Sequence, residues 1–440
     1  MADRTTLLTG WGRTAPSAAE VHAPASAADV ATLVRAAPAR GLVARGLGRA
    51  YGDAAQNAGG VVLDMRRLNW VGAVDPVSGS INCGAGTSLG ALLQAVVPQG
   101  WLPPVMPGTR NVTLGGAVAA DIHGKNHHRD GSIGRHVNSI SIIDGRGEAS
   151  TLLPGSESFW ATVGGMGLTG MITDVTLRLR AIPSSWITVD TYRTADLDET
   201  MARLVDADVG RQYSVAWIDC LTRGAMMGRG IVTAGDHAPG GFGHEYAPRE
   251  IVTAPGWVPG RLLNAATIAA FNEAYFRAAP RQRRAHPQRI ASFFHPLDAI
   301  GDWNRLYGAS GFVQYQFVTP AASVISQVVE SLAGARVPSF LGVLKRFGAG
   351  NDRAALSFPA AGWTLALDLP ARMPGLAGLL DGLDERVAAS GGRVYLAKDA
   401  RLRPALFEVM YPQLAGWRQQ RASLDPRRVF QSDLARRLEL

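Results

Sequence analysis

Three glycine-rich turns and a knot of basic side chains are the residues here whose types and spacing could do chemistry. The first turn, Ala44-Arg-Gly-Leu-Gly-Arg-Ala-Tyr-Gly-Asp53, holds three glycines in seven residues directly after an apolar segment. Without a Cβ, and with positive φ freely reached, such a turn lets backbone N–H groups wrap a pyrophosphate. Its spacing, Gly46-x-Gly48-x-x-x-Gly52, departs from the dinucleotide G-x-G-x-x-G, and taken alone it suits a purely structural turn equally well. The second turn, Pro107-Gly-Thr-Arg-Asn-Val-Thr-Leu-Gly-Gly-Ala117, leads into Asp121-Ile-His-Gly-Lys-Asn-His-His128. There His123, Lys125, His127 and His128 crowd together, which is costly unless an anionic or redox ligand uses them. No carboxylate-and-histidine spacing beyond Asp121 supports a metal among them, and none is expected. The third turn is Phe159-Trp-Ala-Thr-Val-Gly-Gly-Met-Gly-Leu-Thr-Gly170, leading into an apolar run.

Later in the chain, Gln314 and Gln316 flank Tyr315, so in a strand both amides share one face. That face either hydrogen-bonds sugar hydroxyls or meets solvent. Lys398, followed by Asp399, either forms a surface ion pair or sits in a site. In a site its amine would stabilise a developing alkoxide, hold a phosphate, or accept a proton once burial lowers its pKa.

The elements that must position these groups read as short strands at 60–64, 80–84, 138–144 and 170–179. Helices are expected over 26–37 and 88–97, opened by Ser26 and Ser88 as N-caps, which makes the first part α+β. At 440 residues the chain exceeds the roughly 250–300 at which one core stops growing, so two domains are expected, with a boundary near Ile182-Pro183. From 235 to 289 glycine and proline punctuation suggests a long irregular segment. Within it Trp257, Val258, Leu262, Leu263, Ile268 and Phe271 lie near Arg277, Arg281, Arg283, Arg284 and Arg289. This is either an interfacial helix for anionic membrane or an ordinary packed helix with a basic rim.

A hydrophobic content of 47% with 18% charged residues excludes a disordered chain, and no repeat supports a solenoid. Cys83 and Cys220 form no metal or redox spacing. A net charge of +8 favours anionic partners, but no basic stripe interleaved with aromatics points to nucleic acid. No apolar run of about 18 residues and no secretory leader is visible.

The order and spacing of the three turns resemble the flavin domain of the vanillyl-alcohol-oxidase family. Its first loop holds the FAD pyrophosphate, a P-G-T…T-x-G-G segment lines the flavin, and a W-x-x-x-G-G-x-G-x-x-G segment closes the site. Within that family the chain is similar to the oxidases of decaprenylphosphoryl-β-D-ribose. The similarity is carried by Thr9-Gly-Trp-Gly-Arg-Thr-Ala-Pro16, Ile122 to His128, Phe294-His-Pro-Leu-Asp298, Trp303-Asn-Arg305, Gln314-Tyr-Gln316, Ala397-Lys-Asp399 and Asp433 to Leu438.

The resemblance implies a two-domain α+β flavoprotein: an FAD domain over 1–183 completed by 393–440, and a substrate domain over 184–392 built on an antiparallel sheet. It implies FAD held by Ala44, Arg45, Gly46, Leu47, Gly48, Arg49, Ala50, Tyr51, Gly52 and Asp53 of the first loop. Gly108, Thr109, Thr113, Leu114, Gly115 and Gly116 would follow from the second turn, then His123, Gly124, Lys125 and Asn126, with Ile172 and Tyr395. Arg49 stands where many relatives link a histidine to the flavin, which implies non-covalent FAD. Substrate contacts would come from Lys125, Trp217, Phe294, Arg305, Gln314, Gln316, Lys345, Thr364 and Lys398, with Lys398 and His123 as catalytic candidates.

The implied reaction removes hydride from C2′ of the lipid-linked ribose. An NAD(P)H-dependent keto-reductase would complete epimerisation to the arabinose donor of cell-wall arabinan, and a quinone or oxygen would reoxidise the flavin. Peripheral membrane attachment, on the periplasmic side, is implied likewise. Two departures stand out: Thr364-Leu-Ala-Leu-Asp368 replaces an N-x-C-x-D pattern, and Phe294 replaces a tyrosine. The rivals are a free-sugar (alditol or aldonolactone) oxidase of the same fold and a non-enzymatic lipid-binding protein.

Overall fold

The structure, a computed structural model, describes residues 5–259 and 263–440. Val61–Asp64 is central in a four-stranded sheet ordered Thr5–Leu8, Ser17–His22, Val61–Asp64, Leu42–Arg45. Its last three strands are parallel. Parallel strands bury both faces, and Val61, Val62 and Leu63 are accordingly apolar and buried. Helix Ala27–Arg35 packs nearby, started by a capping box in which Ser26 and Asp29 satisfy each other's backbone N–H. The first glycine turn leaves the carboxyl end of Leu42–Arg45, where parallel sheets place ligands.

A second sheet is antiparallel, in the order Ser80–Gly84, Met171–Arg178, Val137–Ile143, Ala149–Leu152. The first three of these strands and helix Leu89–Val96, capped by Ser88, fall within a residue or two of the sequence expectation, which does not include Ala149–Leu152.

The third sheet has eight antiparallel strands. Their order is Gln282–Arg289, Trp186–Thr194, Gly230–His237, Tyr213–Ile218, Gly342–Phe347, Gly362–Pro370, Phe312–Thr319, Arg393–Val394. Alternation sorts its two faces. Tyr315, Phe317, Leu344, Leu365 and Leu367 join a core with Val324, Ile325, Val328 and Val329 of helix Ala322–Gly334 and Leu380 of helix Leu376–Ala389. Gln314, Gln316, Val343, Lys345 and Ala366 instead line a cavity shared with the flavin-type loops.

The chain end ties the two parts together. Arg393–Val394 extends the third sheet, so the segment assigned from 393 onward to the FAD domain begins inside the other sheet. It then passes the first turn, where Tyr51 N–H donates to the Ala397 carbonyl at 2.9 Å. Finally Leu42 exchanges backbone bonds with Val429 and Gln431 at 2.8 and 2.9 Å, closing the parallel sheet.

The stretch 235–289 is more regular than its composition suggests. It contains helix Ala265–Ala278, capped by Asn264, and the edge strand Gln282–Arg289. An edge strand with exposed arginines shows no apolar alternation, and its charges discourage pairing with another sheet. Of the six apolar residues grouped there, Ile268 is buried, Phe271 and Trp257 are exposed, and Leu262 lies outside the described residues. Among the described residues no helix is long and apolar enough to cross a membrane.

Candidate active site

Three loops meet around one cavity of about 730 Å³. The first is clamped on both sides. Trp11 and Gly12 N–H donate to the Ala50 and Tyr51 carbonyls at 2.8 and 3.0 Å, opposite the bond to Ala397. Gly46 lies so close to Thr113 that a Cβ would meet Oγ1 at 2.2 Å, while Gly48 takes φ +65°. Thr113 caps helix Leu114–Ala119, which ends the second turn. The third turn locks onto that helix, with Gly164 and Met166 N–H donating to the Val118 and Ala119 carbonyls at 3.0 and 2.9 Å.

Between these loops Ala44, Gly46, Leu47, Gly48, Arg49, Ala50, Tyr51, Gly108, Thr109, Thr113, Gly115, Gly116, His123, Gly124, Lys125, Ile172 and Tyr395 all face the cavity. Several expected residues do not line it, because they brace the loops from behind. Arg45 donates to the Ala55 and Thr9 carbonyls at 3.0 and 2.7 Å. Asp53 is paired with Arg437 at 2.8 Å, and Gly52 abuts the Asp399 carbonyl, where a Cβ would sit at 1.9 Å. Leu114 is buried in the core, and Asn126 spends its amide on the Pro104 carbonyl at 2.7 Å and on Asp130.

The residues fit a flavin dinucleotide. A Cβ at Gly108 or Gly167 would meet no atom within 4 Å, and both glycines line the cavity, so they keep room for a ligand rather than for neighbouring chain. Arg49 stacks its guanidinium 3.7 Å from the Trp11 ring, and its buried Nε has no protein acceptor. A buried donor left without a partner is what an anionic ligand would satisfy.

The other end of the cavity is formed by the sheet. Lys125, Lys345 and Lys398 all reach it, and burial lowers each ammonium pKa, to about 7 for Lys125 and about 8 for Lys345. Lys398 Nζ lies 4.3 Å from the Tyr51 ring centroid. Burial pushes the Lys398 amine down and the Asp368 carboxyl up, and their mutual attraction opposes both shifts. Asp368 Oδ1 accepts from the Gln314 amide, while the buried Oδ2 has no partner.

Asp121 sets up the histidine. At φ +39° its carboxylate accepts from Ser132 Oγ, Gly134 N–H and Ser357 Oγ at 2.7, 2.9 and 2.5 Å, which fixes the turn into Ile122 and His123. The Gln316 amide donates to Thr364 Oγ1 at 3.2 Å and lies 3.0 Å from His123 Nε2. Phe347 and Tyr395 pack on this ring with centroids at 4.9 and 5.2 Å, and burial, reinforced by Lys345, Lys398 and His127, holds it neutral.

Trp217 and Phe294 line the cavity as expected. Thr364 is buried behind Gln316 and is not on the wall. Arg305 is not brought to the site: it pairs with Asp302 at 2.8 Å, three residues back, and donates to the Ala254 carbonyl at 3.3 Å. Asp368 and Trp11 belong to the site although the sequence reading does not place them there. The D of the late-strand pattern is the one available signal for Asp368. Among the described residues no cluster of His, Cys, Asp or Glu is arranged to hold a metal.

Residues 18–153 match the family model for the FAD binding domain. The decaprenylphosphoryl-beta-D-ribose oxidase of Mycolicibacterium smegmatis is 41% identical, covering 99% of this chain and 98% of that protein. An uncharacterized protein of Streptomyces coelicolor is 42% identical over 80% of this chain and all of its own length. The alditol oxidase of a Streptomyces species is 28% identical over 40% of this chain and 42% of its own. The loop arrangement, the fitting cavity and the end-to-end likeness to the first of these lead to one conclusion: the chain belongs to the vanillyl-alcohol-oxidase family of FAD-dependent oxidoreductases.

Proposed function

We propose that this protein oxidises the C2′ hydroxyl of decaprenylphosphoryl-β-D-ribose to the 2′-keto sugar. The observation that carries the reading is one cavity in which the glycine loops stand opposite three lysines and two glutamines. FAD, when bound, supplies the hydride acceptor. The residues that would hold it are Gly46 to Tyr51, Gly108, Thr109, Thr113, Gly115 and Gly116. No histidine lies between Ala44 and Asp53, which supports non-covalent attachment.

Lys398 Nζ takes the proton of the C2′ hydroxyl. Burial brings the amine within reach of neutrality near pH 7, where a base works best, and Asp368 stabilises the ammonium that forms. Gln314 is held by Asp368 and Gln316 by His123 and Thr364, so their amides are fixed in position to orient the ribose hydroxyls. Lys345 and Lys125 supply positive charge for the lipid phosphate. Trp217 and Phe294 exclude water. Phe294 brings no hydroxyl of its own, so sugar contacts on that side come from the glutamines.

A keto sugar still requires hydride return from the opposite face, which an NAD(P)H-dependent reductase would supply. A quinone or oxygen would reoxidise the flavin. A lipid-linked substrate favours peripheral attachment to the membrane, and the family resemblance favours its periplasmic side.

Acid precipitation followed by anaerobic titration tests the reading. Flavin bands that leave with the supernatant, and that bleach in native protein with prenylphosphoryl-ribose, are expected. Bleaching by unlipidated alditols alone would replace it with the free-sugar oxidase, and a colourless protein would overturn it.

A further inference from the structure

Beyond the lysines, the cavity continues as an arm across the third sheet. Val343 follows the face of Lys345 two residues along the same strand, and Val343 pairs with Trp217. Trp217 pairs in turn with Ile231, Val215 with Thr233, and Thr233 with Thr191. All six residues line the cavity, none carries a charge, and together they cross three strand spacings, about 14 Å.

Helix Ala265–Ala278 roofs this row. Tyr275 meets the Trp217 ring at 5.0 Å, and Ala278 and Ala279 complete the wall with side chains too small to fill it. The roof is anchored, not loose. The buried Asn272 donates to Asp219 at 2.9 Å, Glu273 pairs with Arg229 at 2.6 Å, and Arg193 Nη1 donates to the Arg277 carbonyl at 3.3 Å. Tyr275 and Ala278 both line the arm and are exposed at the end of this helix.

We propose that this arm is the tract for the first isoprene units of the substrate, entering the protein past Ala278 and running over Thr191, Thr233 and Ile231 to the phosphate beside Lys345. The inference rests on the lipid-linked substrate proposed above. The occupant follows from continuity: an uncharged channel meets a cationic cluster at one end and the surface at the other, which matches an apolar chain ending in a phosphate. A free sugar phosphate has nothing to place there. Arg277, Arg281, Arg283 and Arg284 are exposed near the opening, which suits an anionic membrane from which such a chain would be drawn.

Two measurements on the flavin-loaded protein test the tract. In Thr233→Cys the new thiol faces the arm, whereas Cys83 and Cys220 are buried with their thiol pKa values pushed up. Farnesyl phosphate should slow its alkylation by N-ethylmaleimide severalfold, and ribose 5-phosphate should not. In Ala278→Trp, at an exposed helix position tolerant of a larger side chain, the ratio of kcat/KM for farnesylphosphoryl-ribose over its methylphosphoryl counterpart should fall about tenfold. That corresponds to fewer than two methylene groups lost from an apolar site. If the wild-type protein oxidises farnesylphosphoryl-ribose while the thiol of the Thr233→Cys variant is unprotected and the ratio is unchanged, the tract is wrong and the function stands. If the wild-type protein oxidises neither lipid-linked sugar, the functional reading fails and takes the tract with it.

Discussion

Replacing Asp368 by Asn keeps the acceptor that Gln314 needs and removes only the charge that favours the Lys398 ammonium. Three influences set that lysine: burial lowers its pKa most, Asp368 raises it, and Lys345 lowers it. An opposite charge at close range is worth about 1–3 pH units, or roughly 1.4–4 kcal/mol between the two protonation states. If neutral Lys398 accepts the hydroxyl proton, the rate of flavin bleaching rises with pH through its pKa. Losing Asp368 lowers that pKa, so the midpoint of the rise should move about 1–3 units to lower pH. The assay is anaerobic stopped-flow bleaching across pH, with flavin content and melting temperature as controls for folding. A midpoint that stays put, or moves to higher pH, would refute the coupling. A wild-type rate that falls as pH rises would show that Lys398 acts as a cation, not as a base.

Other substitutions separate the cavity from its surroundings. Gly46→Ala would drive a Cβ into Thr113 and disturb the cap of helix Leu114–Ala119, so FAD affinity measured by fluorescence titration should fall about tenfold, and unchanged affinity would contradict the cradle. Arg305→Ala should leave KM for the lipid-linked sugar within about twofold, since a surface ion pair such as that with Asp302 contributes little; a large KM rise would return Arg305 to the site. His295 is buried, both ring nitrogens lack partners, and burial, then Arg110 and Lys125, push its pKa down to about 3. The unfolded imidazole titrates near 6.5, so its contribution to stability is complete above that pH and is lost as pH falls toward the folded value. His295→Leu should therefore gain up to about 2 kcal/mol relative to wild type between pH 6.5 and 5 in urea unfolding; a pH-independent difference would show that the folded ring titrates with the same pKa as the unfolded one.

The parts of the site legible in the sequence are those whose signal is local. The glycines of the three turns announce close approach by composition, and the strand Ser80–Gly84 and the caps Ser26 and Ser88 stand where their residue types put them. Gln314 and Gln316 share a face because strand periodicity leaves no choice. The parts that are not legible depend on register or on partners remote in sequence. Val343, Trp217, Ile231 and Thr191 come from four strands and meet only through the pairing of one sheet. Asp53 and Arg45 look like ligand contacts within a glycine loop, but their partners, Arg437 and Thr9, turn them away from the cavity. Similarity alone places Arg305 at the site, and a carboxylate three residues before it holds it elsewhere. The segment 235–289 conceals a helix and a strand because an exposed edge strand needs no apolar alternation.

The central claim is that hydride leaves C2′ of a lipid-linked ribose while Lys398 takes the proton. It is tested most directly by anaerobic bleaching of the flavin with prenylphosphoryl-ribose carrying deuterium at C2′ or, separately, at C3′. Bleaching slowed severalfold by deuterium at C2′ and unaffected by deuterium at C3′ is the predicted result. A slowing confined to C3′, or bleaching that requires no lipid-linked sugar, would contradict it.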